Sequence, residues 1–381
     1  MLSPQTVIPL VDSRALAGRP DGLHQSTLLP RLLPLFAHTA LRMPPDDDAH
    51  RWHTHMLAGR AWQFGRPLTF TPYASAQPCS ARCVFCSETL RDAHDSGPMA
   101  AALRPGAGYF AALGQALRAL RGVPLSYSLS GLESTDDPDW LCALLATLQA
   151  ASGQGPEVEG AVLYTNGAGL ATHRAQLLPA LQGFGLSWVE WSRHHDAEGP
   201  NGQIMRWRAG QPVAGQAAFE QALKATLAQV PVKLVCVVQQ GGIAQAEDVW
   251  RYVAWARSLG VRTVIFREFS ALPASYRANA TRRHVDSHRV RIDDLLGACL
   301  DDARFRHTFE PEALTLGYYF WNARWLASDG TAVVFERADY EALHAREDSG
   351  RVYKLVFHAN GHLCAGWQPD QHVLWRPDDL P

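Results

Sequence analysis

Short apolar runs alternate with longer amphipathic stretches through the middle of the chain. Six runs are strand-like, and five helix-like stretches separate them within about two hundred residues. This alternation is typical of a parallel sheet with helices outside it, and right-handed crossovers would curve the sheet into a full or partial barrel. The predicted strands span residues 68–73, 125–129, 161–165, 186–192, 232–238 and 263–268, and the predicted helices span residues 99–120, 139–149, 171–181, 217–228 and 246–259.

The two ends of the chain lack this alternation, which divides the chain into three parts. Residues 1–66 are predicted to form an N-terminal extension, irregular apart from helical pieces near residues 28–41 and 50–60. Residues 67–269 form the predicted α/β core. Residues 270–381 form a C-terminal extension that we expect to cover a substrate.

The C-terminal extension is predicted to be α+β. Its residues 286–301 have a helical pattern, and residues 314–335 and 352–363 have the pattern of antiparallel strands. Gly330 and Gly361 mark the turns between them. The extension therefore differs in architecture from the predicted parallel core.

Composition and charge exclude several classes of protein. The chain has 381 residues, of which 47% are hydrophobic and 19% charged, with a net charge of −2. This balance does not suggest a basic nucleic-acid surface. No apolar run reaches the ~18–20 residues of a membrane span, and the N-terminus lacks the apolar region of a secretory signal. We expect a cytoplasmic protein without membrane or nucleic-acid partners.

Three of the seven cysteines lie within eight residues, as Cys79, Cys83 and Cys86. An odd count and this crowding indicate metal ligands rather than a disulfide scaffold. Thiolates closely spaced on one loop hold iron–sulfur clusters, and three of them leave the fourth iron of a cubane open to a small molecule. The loop follows the first predicted strand, which is the active-site end of such barrels. The other cysteines are expected to be small buried side chains: Cys142, Cys236, Cys299 and Cys364.

Two other metal sites remain possible from the residues alone. A zinc ion could be bound by the three cysteines together with His94 or a distant histidine. An electron-transfer cluster would need a fourth nearby cysteine, which the sequence lacks.

The spacing CxxxCxxC, with Phe85 directly before the third cysteine, resembles the signature loop of the radical S-adenosylmethionine (SAM) superfamily. The resemblance implies a partial (β/α)6 radical SAM barrel, one [4Fe-4S] cluster per chain on Cys79, Cys83 and Cys86, and SAM as second cofactor. An electron donor of the flavodoxin or ferredoxin type is also implied. The cluster would cleave SAM reductively to a 5′-deoxyadenosyl radical, which abstracts hydrogen from a substrate.

The second predicted strand ends in a segment similar to the glycine-rich motif of this superfamily, usually Gly-Gly-Glu. Here Leu132 replaces the second glycine between Gly131 and Glu133. The resemblance implies that Gly131 and Glu133 bind the SAM amino group. The alternative is a plain strand-to-helix turn, in which Ser134 and its neighbours cap a helix.

The ends of the later strands carry further candidates. The resemblance places Thr165 at the SAM carboxylate, and Ser192 and Arg206 at the ribose or carboxylate. Arg193 and Arg208 compete with Arg206 for this role. Residues 239–243 would pack beside the adenine, whereas Arg267 and Glu268 are either site residues or members of a buried ion pair.

The substrate cannot be read from the barrel pattern. We expect a small metabolite of a biosynthetic pathway. The alternatives are a peptide or protein substrate and, in another class, a non-catalytic zinc or iron–sulfur protein. The tail has a single cysteine and no CxxC pair, which indicates one cluster.

Residues 318–325 are dense in aromatic side chains and form the candidate wall of the substrate pocket. Asn322 and Arg324 are its candidate catalytic residues, and core packing of a β-hairpin is the alternative. Cys364 is a candidate redox or hydrogen-donor thiol, and burial as a small apolar residue is the alternative.

Overall fold

The structure is a computed structural model that describes residues 8–16, 26–42, 51–90, 103–272, 274, 276–346 and 349–377. Fifteen strands in these residues belong to one sheet. The strands are β1 (Leu10–Asp12), β2 (His38–Leu41), β3 (Trp52–Leu57), β4 (Arg60–Tyr73), β5 (Pro124–Leu129), β6 (Glu157–Thr165), β7 (Trp188–Ser192), β8 (Val232–Val237), β9 (Thr263–Arg267), β10 (Phe309–Leu316), β11 (Phe320–Ala327), β12 (Ala332–Ala338), β13 (Val352–His358), β14 (Leu363–Cys364) and β15 (Val373–Trp375).

The helices lie mainly between the strands of the core. In chain order they are α1 (Leu29–Leu32), α2 (Tyr109–Ala119), α3 (Pro138–Ala150), α4 (Ala168–Thr172), α5 (Arg174–Phe184), α6 (Glu198–Met205), α7 (Gln216–Leu227), α8 (Ala246–Ser258), α9 (Ala280–His288), α10 (Ile292–Asp301), α11 (Ala303–Thr308) and α12 (Tyr340–Ala345). In the part of the chain that is described, none of these helices is long and apolar enough to cross a bilayer.

Strands β4 to β9 are neighbours in chain order, and each pair is parallel. Their apolar side chains, among them Leu163, Leu234 and Phe266, are fully buried against the helices. Burial of apolar strand residues under covering helices is typical of a parallel sheet. The predicted α/β core of six strands is therefore confirmed.

The C-terminal extension lengthens this sheet at both edges. Strand β12 pairs in parallel with β9, and β13 pairs in parallel with β4. The antiparallel strands predicted there are confirmed, since β10, β11 and β12 form a meander and β13 pairs with β14. Gly330 and Gly361 both have positive φ at the predicted turns.

Of the two helical pieces predicted in the N-terminal extension, the one near residues 50–60 is wrong, and the one near residues 28–41 is helical only over residues 29–35. Residues 52–57 form strand β3, which pairs with β4 through the two-residue turn Ala58–Gly59. Both turn residues have positive φ, as the favoured hairpin turns require. Within residues 28–41 the α-helix is one turn, α1, and β2 follows it.

Three predicted helices have different limits in the structure. Helix α2 begins at Tyr109, after Pro105 and Gly106, and the predicted start at residues 99–102 lies outside the described residues. The stretch 171–181 is divided at His173 between α4 and α5. The stretch 286–301 is divided between α9 and α10, because Arg289 leaves the helix and bridges to Gln239.

Candidate functional site

The cysteine loop begins a few residues after β4 and is fixed by the backbone of residues 204–208, which follow β7. The amide of Arg82 donates to the carbonyl oxygens of Met205 and Arg206, each at 3.1 Å, and the amide of Val84 donates to Ile204 at 3.0 Å. An isolated bridge pairs Ala81 with Trp207. These bonds set the path of the loop between its first and third cysteines.

All three cysteines are free thiols, and they line one cavity of about 590 Å³. Its lining comes from the cysteine loop, the 204–208 segment and helix α9. The lining residues are Pro78, Cys79, Ala81, Arg82, Cys83, Val84, Cys86, Glu88, Thr89, Leu132, Arg206, Arg208, Ala280, Thr281, Arg283, His284 and Ser287.

The sulfur atoms of Cys79 and Cys83 lie near amide groups and a thioether sulfur, respectively. Cys79 Sγ accepts from the amide of Ala81 at 3.4 Å and from the side-chain amide of Asn166 at 3.5 Å. Cys83 Sγ lies 3.7 Å from the sulfur of Met205. The contact with Asn166 was not expected from the sequence, where this residue only ends a strand.

Burial disfavours the ionised form of the thiols of Cys79 and Cys83. Burial, together with the negative charge of Glu133, raises the pKa of Cys79 to about 12. Burial and the neighbouring cysteines raise the pKa of Cys83 well above its usual value. Ionised together, these thiols need a nearby cation, and metal coordination deprotonates a thiol outright.

The spacing of the thiols bears on which metal group they fit. Among the described residues, no three His, Cys, Asp or Glu side chains converge tightly enough to hold one metal ion. A single zinc would draw its ligand sulfurs to ~2.3 Å from one centre. A cubane takes its cysteines on different irons and needs no such convergence. His94, the zinc alternative named from the sequence, lies outside the described residues.

The turn at Gly131 and Leu132 has left-handed backbone geometry. Gly131 has φ +125°, and a Cβ there would contact the ring of Tyr73 and the backbone of Ala74. Leu132 has φ +43°, a conformation that glycine adopts without strain. The turn therefore keeps the geometry of a glycine pair although its second residue is leucine.

Glu133 and Thr165 are buried and hydrogen-bonded to each other. Thr165 Oγ1 donates to Glu133 Oε1 at 2.6 Å, and the hydroxyl of Thr135 donates to the same oxygen at 2.6 Å. The other oxygen accepts from the amide of Asn166. Burial and the charge of Asp136 raise the pKa of Glu133 to about 7.

Two residues beyond the sequence-predicted set position Cys79. The carboxylate of Asp136 accepts from the amide of Ser80 at 2.6 Å, and the amide nitrogen of Asn166 donates to the hydroxyl of Ser80 at 3.0 Å. Gly167 follows Asn166, and a Cβ on it would lie 2.0 Å from the ring of Trp191. The turn after β6 is thereby packed directly behind the cysteine loop.

The three competing arginines have different environments. Arg206 and Arg208 are exposed and line the cavity. Arg193 is buried, donates to the carbonyl of His195 at 3.3 Å and stacks on the ring of Phe219. Ser192 ends β7 opposite Val235 and is partly exposed.

The end of β8 contacts the C-terminal extension. Gln239 is fully buried, and its Oε1 lies 3.0 Å from Nε2 of His284 on helix α9. This helix lines the cavity, as expected for a segment after residue 269, although residues 318–325 were selected for that role. No pattern in the sequence distinguishes α9 from an ordinary surface helix.

Arg267 and Glu268 are both in ion pairs, with different partners. Arg267 pairs with Glu336 at 2.6 Å and Glu190 at 3.3 Å. Glu268 pairs with Arg289 at 2.9 Å. Both residues are therefore members of ion pairs, but an ion pair between Arg267 and Glu268 is not formed.

The aromatic segment 318–325 contributes largely to the core. Trp321 and Trp325 are buried. Asn322 and Arg324 lie on the opposite face of β11. Asn322 is in register with Glu336 of the neighbouring strand β12. Arg324 pairs with Glu312 of β10.

Cys364 is buried at the C-terminal edge of the sheet, and its Sγ lies 3.5 Å from the carbonyl of Pro369. Burial raises its pKa to about 12. These surroundings agree with packing as a small apolar residue.

No protein-family model matches the chain, and no curated protein is detectably similar to it in sequence. Its fold is similar to solved structures of radical SAM enzymes. Native anSMEcpe with bound AdoMet superposes with a TM-score of 0.50 at 12% identity, over 82% of this chain and 79% of that chain.

Other superpositions cover less of the relative. SuiB of Streptococcus suis bound to S-adenosylmethionine has 14% identity and a TM-score of 0.45, over 82% of this chain and 63% of that chain. A hexahistidine-tagged form of anSMEcpe with bound AdoMet has 14% identity and a TM-score of 0.41, over 52% of this chain. In that superposition the chain spans 50% of the relative's length. The superposition on native anSMEcpe covers most of both chains, and strands β4 to β9 are parallel in chain order. The chain therefore has the mixed α/β fold of the radical SAM barrel enzymes.

Proposed function

We propose that the chain is a radical SAM enzyme in which Cys79, Cys83 and Cys86 hold a single [4Fe-4S] cluster. The observation that carries the proposal is that these three free thiols all line one cavity, beside the carboxyl end of a parallel sheet. The fold it shares with AdoMet-bound anSMEcpe supports the same function. Three protein ligands would leave the fourth iron open to the amino and carboxylate groups of SAM.

The chain's own residues would position SAM. Gly131, through its backbone, and Glu133 are the proposed contacts of the ammonium group. Thr165 and Ser192 are proposed contacts near the carboxylate and ribose. Arg206 is the proposed partner of the carboxylate, because it lines the cavity whereas Arg193 is buried elsewhere.

With both groups bound, the cluster and SAM would supply the reductive chemistry that makes hydrogen abstraction from a substrate possible. The protein's task is to hold the target C–H close to the reacting carbon and to exclude water. Helix α9 and the cysteine loop both contribute to the cavity lining, which suits them for this task. A flavodoxin- or ferredoxin-type protein is the proposed electron donor.

We propose a small metabolite as the substrate. A cavity of about 590 Å³ lies within the range of ~300–1,000 Å³ typical of small-molecule sites. Asn322 and Arg324 remain candidate substrate residues, because they share a sheet face with the Glu190–Arg267–Glu336 network. Cys364 has less support, because its sulfur is buried against Pro369.

The test is reductive SAM cleavage by anaerobically reconstituted protein. Wild type with dithionite should form 5′-deoxyadenosine and methionine, and Cys79→Ala, Cys83→Ala and Cys86→Ala should form neither. Cys142→Ala is the matched control, since Cys142 lies on α3 away from the cavity lining. Cleavage that survives replacement of any of the three loop cysteines would refute the proposal.

A further inference from the structure

The cavity in front of the cysteine loop has an excess of positive charge. Among the described residues, four arginines line it, Arg82, Arg206, Arg208 and Arg283, against one acidic side chain, Glu88. The arginines belong to three separate segments: the cysteine loop, the 204–208 segment and helix α9. Their convergence on one cavity therefore arises from the tertiary structure and not from a basic run in the sequence.

Two of these arginines already have a counter-charge. Arg206 is the proposed partner of the SAM carboxylate. Arg208 attracts the carboxylate of Asp136, which lies behind the cysteine loop. Glu88 accepts a hydrogen bond from the hydroxyl of Tyr73, so that its carboxylate is also engaged.

Arg82 and Arg283 differ from the other two arginines. Within the described residues, neither side chain makes a hydrogen bond or ion pair with another side chain. The adjacent Arg282 on the same helix pairs with Asp286 at 3.1 Å and does not line the cavity. On helix α9, Arg282 therefore pairs with another residue of the same helix, whereas Arg283 is available to bind a ligand.

The cofactors would not neutralise this charge. Three thiolates on an oxidised [4Fe-4S] core leave one net negative charge, and SAM carries one net positive charge at neutral pH. Together they add no net charge to the cavity. Arg82 and Arg283 are both exposed and line the same cavity, so an anion bound there would be attracted by both positive charges.

We infer that the substrate carries a doubly charged anionic group, bound by Arg82 and Arg283. A phosphate ester or a pair of neighbouring carboxylates has this charge, and both match the planar donor fork of arginine. The inference rests on the proposed function for the identity of the site. It adds the chemical class of the substrate, which the barrel fold does not specify.

The inference is tested by calorimetric titration of the anaerobically reconstituted full-length protein with SAM bound. The probes are inorganic phosphate, malonate as a dicarboxylate and acetate as a singly charged control. Wild type should bind phosphate or malonate saturably and acetate weakly, and the tighter of the two dianions identifies the form of the group. Arg283→Gln should weaken that binding about tenfold or more, because a charge-assisted bidentate contact is lost.

Arg282→Gln is the matched control, with the same change of charge one residue away, and should alter the dissociation constant by less than about twofold. Arg82→Gln should behave as Arg283→Gln, with its iron content measured because Arg82 lies inside the cysteine loop. If Arg283→Gln binds both dianions as tightly as wild type, or wild type binds neither saturably, the inference is wrong.

Failure of the inference can be distinguished from failure of the proposed function. SAM cleavage is measured in the same preparations, without the probe. Cleavage without saturable dianion binding refutes the anionic substrate and leaves the enzyme assignment in place. Dianion binding that Arg283→Gln abolishes, in protein that never cleaves SAM, refutes the enzyme assignment and leaves the anion site.

Discussion

The side-chain amide of Asn166 donates to the Sγ of Cys79 across 3.5 Å. Asn166 is itself fixed, because its carbonyl accepts from the indole nitrogen of Trp191 at 3.0 Å. Hydrogen bonds to cluster sulfurs stabilise the more negative reduced state and raise the reduction potential. Through this hydrogen bond, the turn after β6 would raise the reduction potential of the proposed cluster.

Asn166→Ala should lower the reduction potential of the cluster by about 40 mV, the equivalent of ~1 kcal/mol for one electron. A potentiometric titration followed by electron paramagnetic resonance measures this. Ser80→Ala is the control, because it removes the other partner of the Asn166 amide and leaves the N–H···S contact. An unchanged potential in Asn166→Ala would mean that the contact has no electrostatic effect on the cluster.

Gly167→Ala should destabilise the protein by more than ~2 kcal/mol. Gly167 has φ +83°, and a Cβ there would overlap the ring of Trp191 at 2.0 Å. Gly183→Ala is the matched control, since Gly183 lies inside α5 with nothing within 4 Å of an added Cβ. That variant should be more stable than wild type by up to ~1 kcal/mol. Denaturant unfolding of both proteins gives the comparison, and equal stabilities would contradict the packing described.

His194 should make the stability of the protein depend on pH below neutrality. Burial lowers its pKa to about 3, and its Nδ1 accepts from the amide of Val237 at 3.0 Å, which requires the neutral ring. The unfolded chain binds a proton near pH 6.5 and the folded chain does not, so stability falls as the pH is lowered from 6.5 toward 3.

Replacement of His194 by asparagine should remove this pH dependence, since the asparagine oxygen can accept from Val237. Between pH 7.5 and 5.5 the wild-type protein should lose about 1.4 kcal/mol more stability than His194→Asn. Unfolding curves at the two pH values measure the difference. Identical pH profiles would show that His194 does not titrate differently on folding.

Arg206→Gln should raise the dissociation constant of SAM about tenfold, by loss of a charge-assisted contact to its carboxylate. Its melting temperature should be unchanged, because Arg206 is exposed. Arg193→Gln should show the opposite behaviour, with a lowered melting temperature, because Arg193 is buried on Phe219. Calorimetric titration and thermal unfolding of the two variants decide between the arginines, and normal SAM affinity in Arg206→Gln would remove it from the site.

The parallel core could be predicted because its signal is local. Each strand from β4 to β9 has its own apolar run, and each helix between them has its own amphipathic pattern. Strand β3 could not be recognised, because its side chains are mostly polar or half-exposed and its identity depends on pairing with β4. Pairing decides such segments more than intrinsic propensity does.

The cysteine ligands could be proposed from spacing, since all three lie on one short loop. The residues that support the loop could not, because their contact depends on the approach of segments far apart in sequence. Asn166 reaches Cys79 from the end of β6, and Met205 reaches Cys83 from the end of α6. The choice between Arg193 and Arg206 also required the structure, because burial distinguishes two residues that are equivalent in charge.

The most direct test of the central claim is Mössbauer spectroscopy of protein reconstituted with ⁵⁷Fe, recorded with and without SAM. We predict about four irons per chain in one cubane, three on cysteine and one open. Addition of SAM should shift the signal of one iron and leave the other three unchanged. A spectrum that SAM does not alter, or protein that retains zinc in place of iron, would contradict the assignment of Cys79, Cys83 and Cys86 to a SAM-binding cluster.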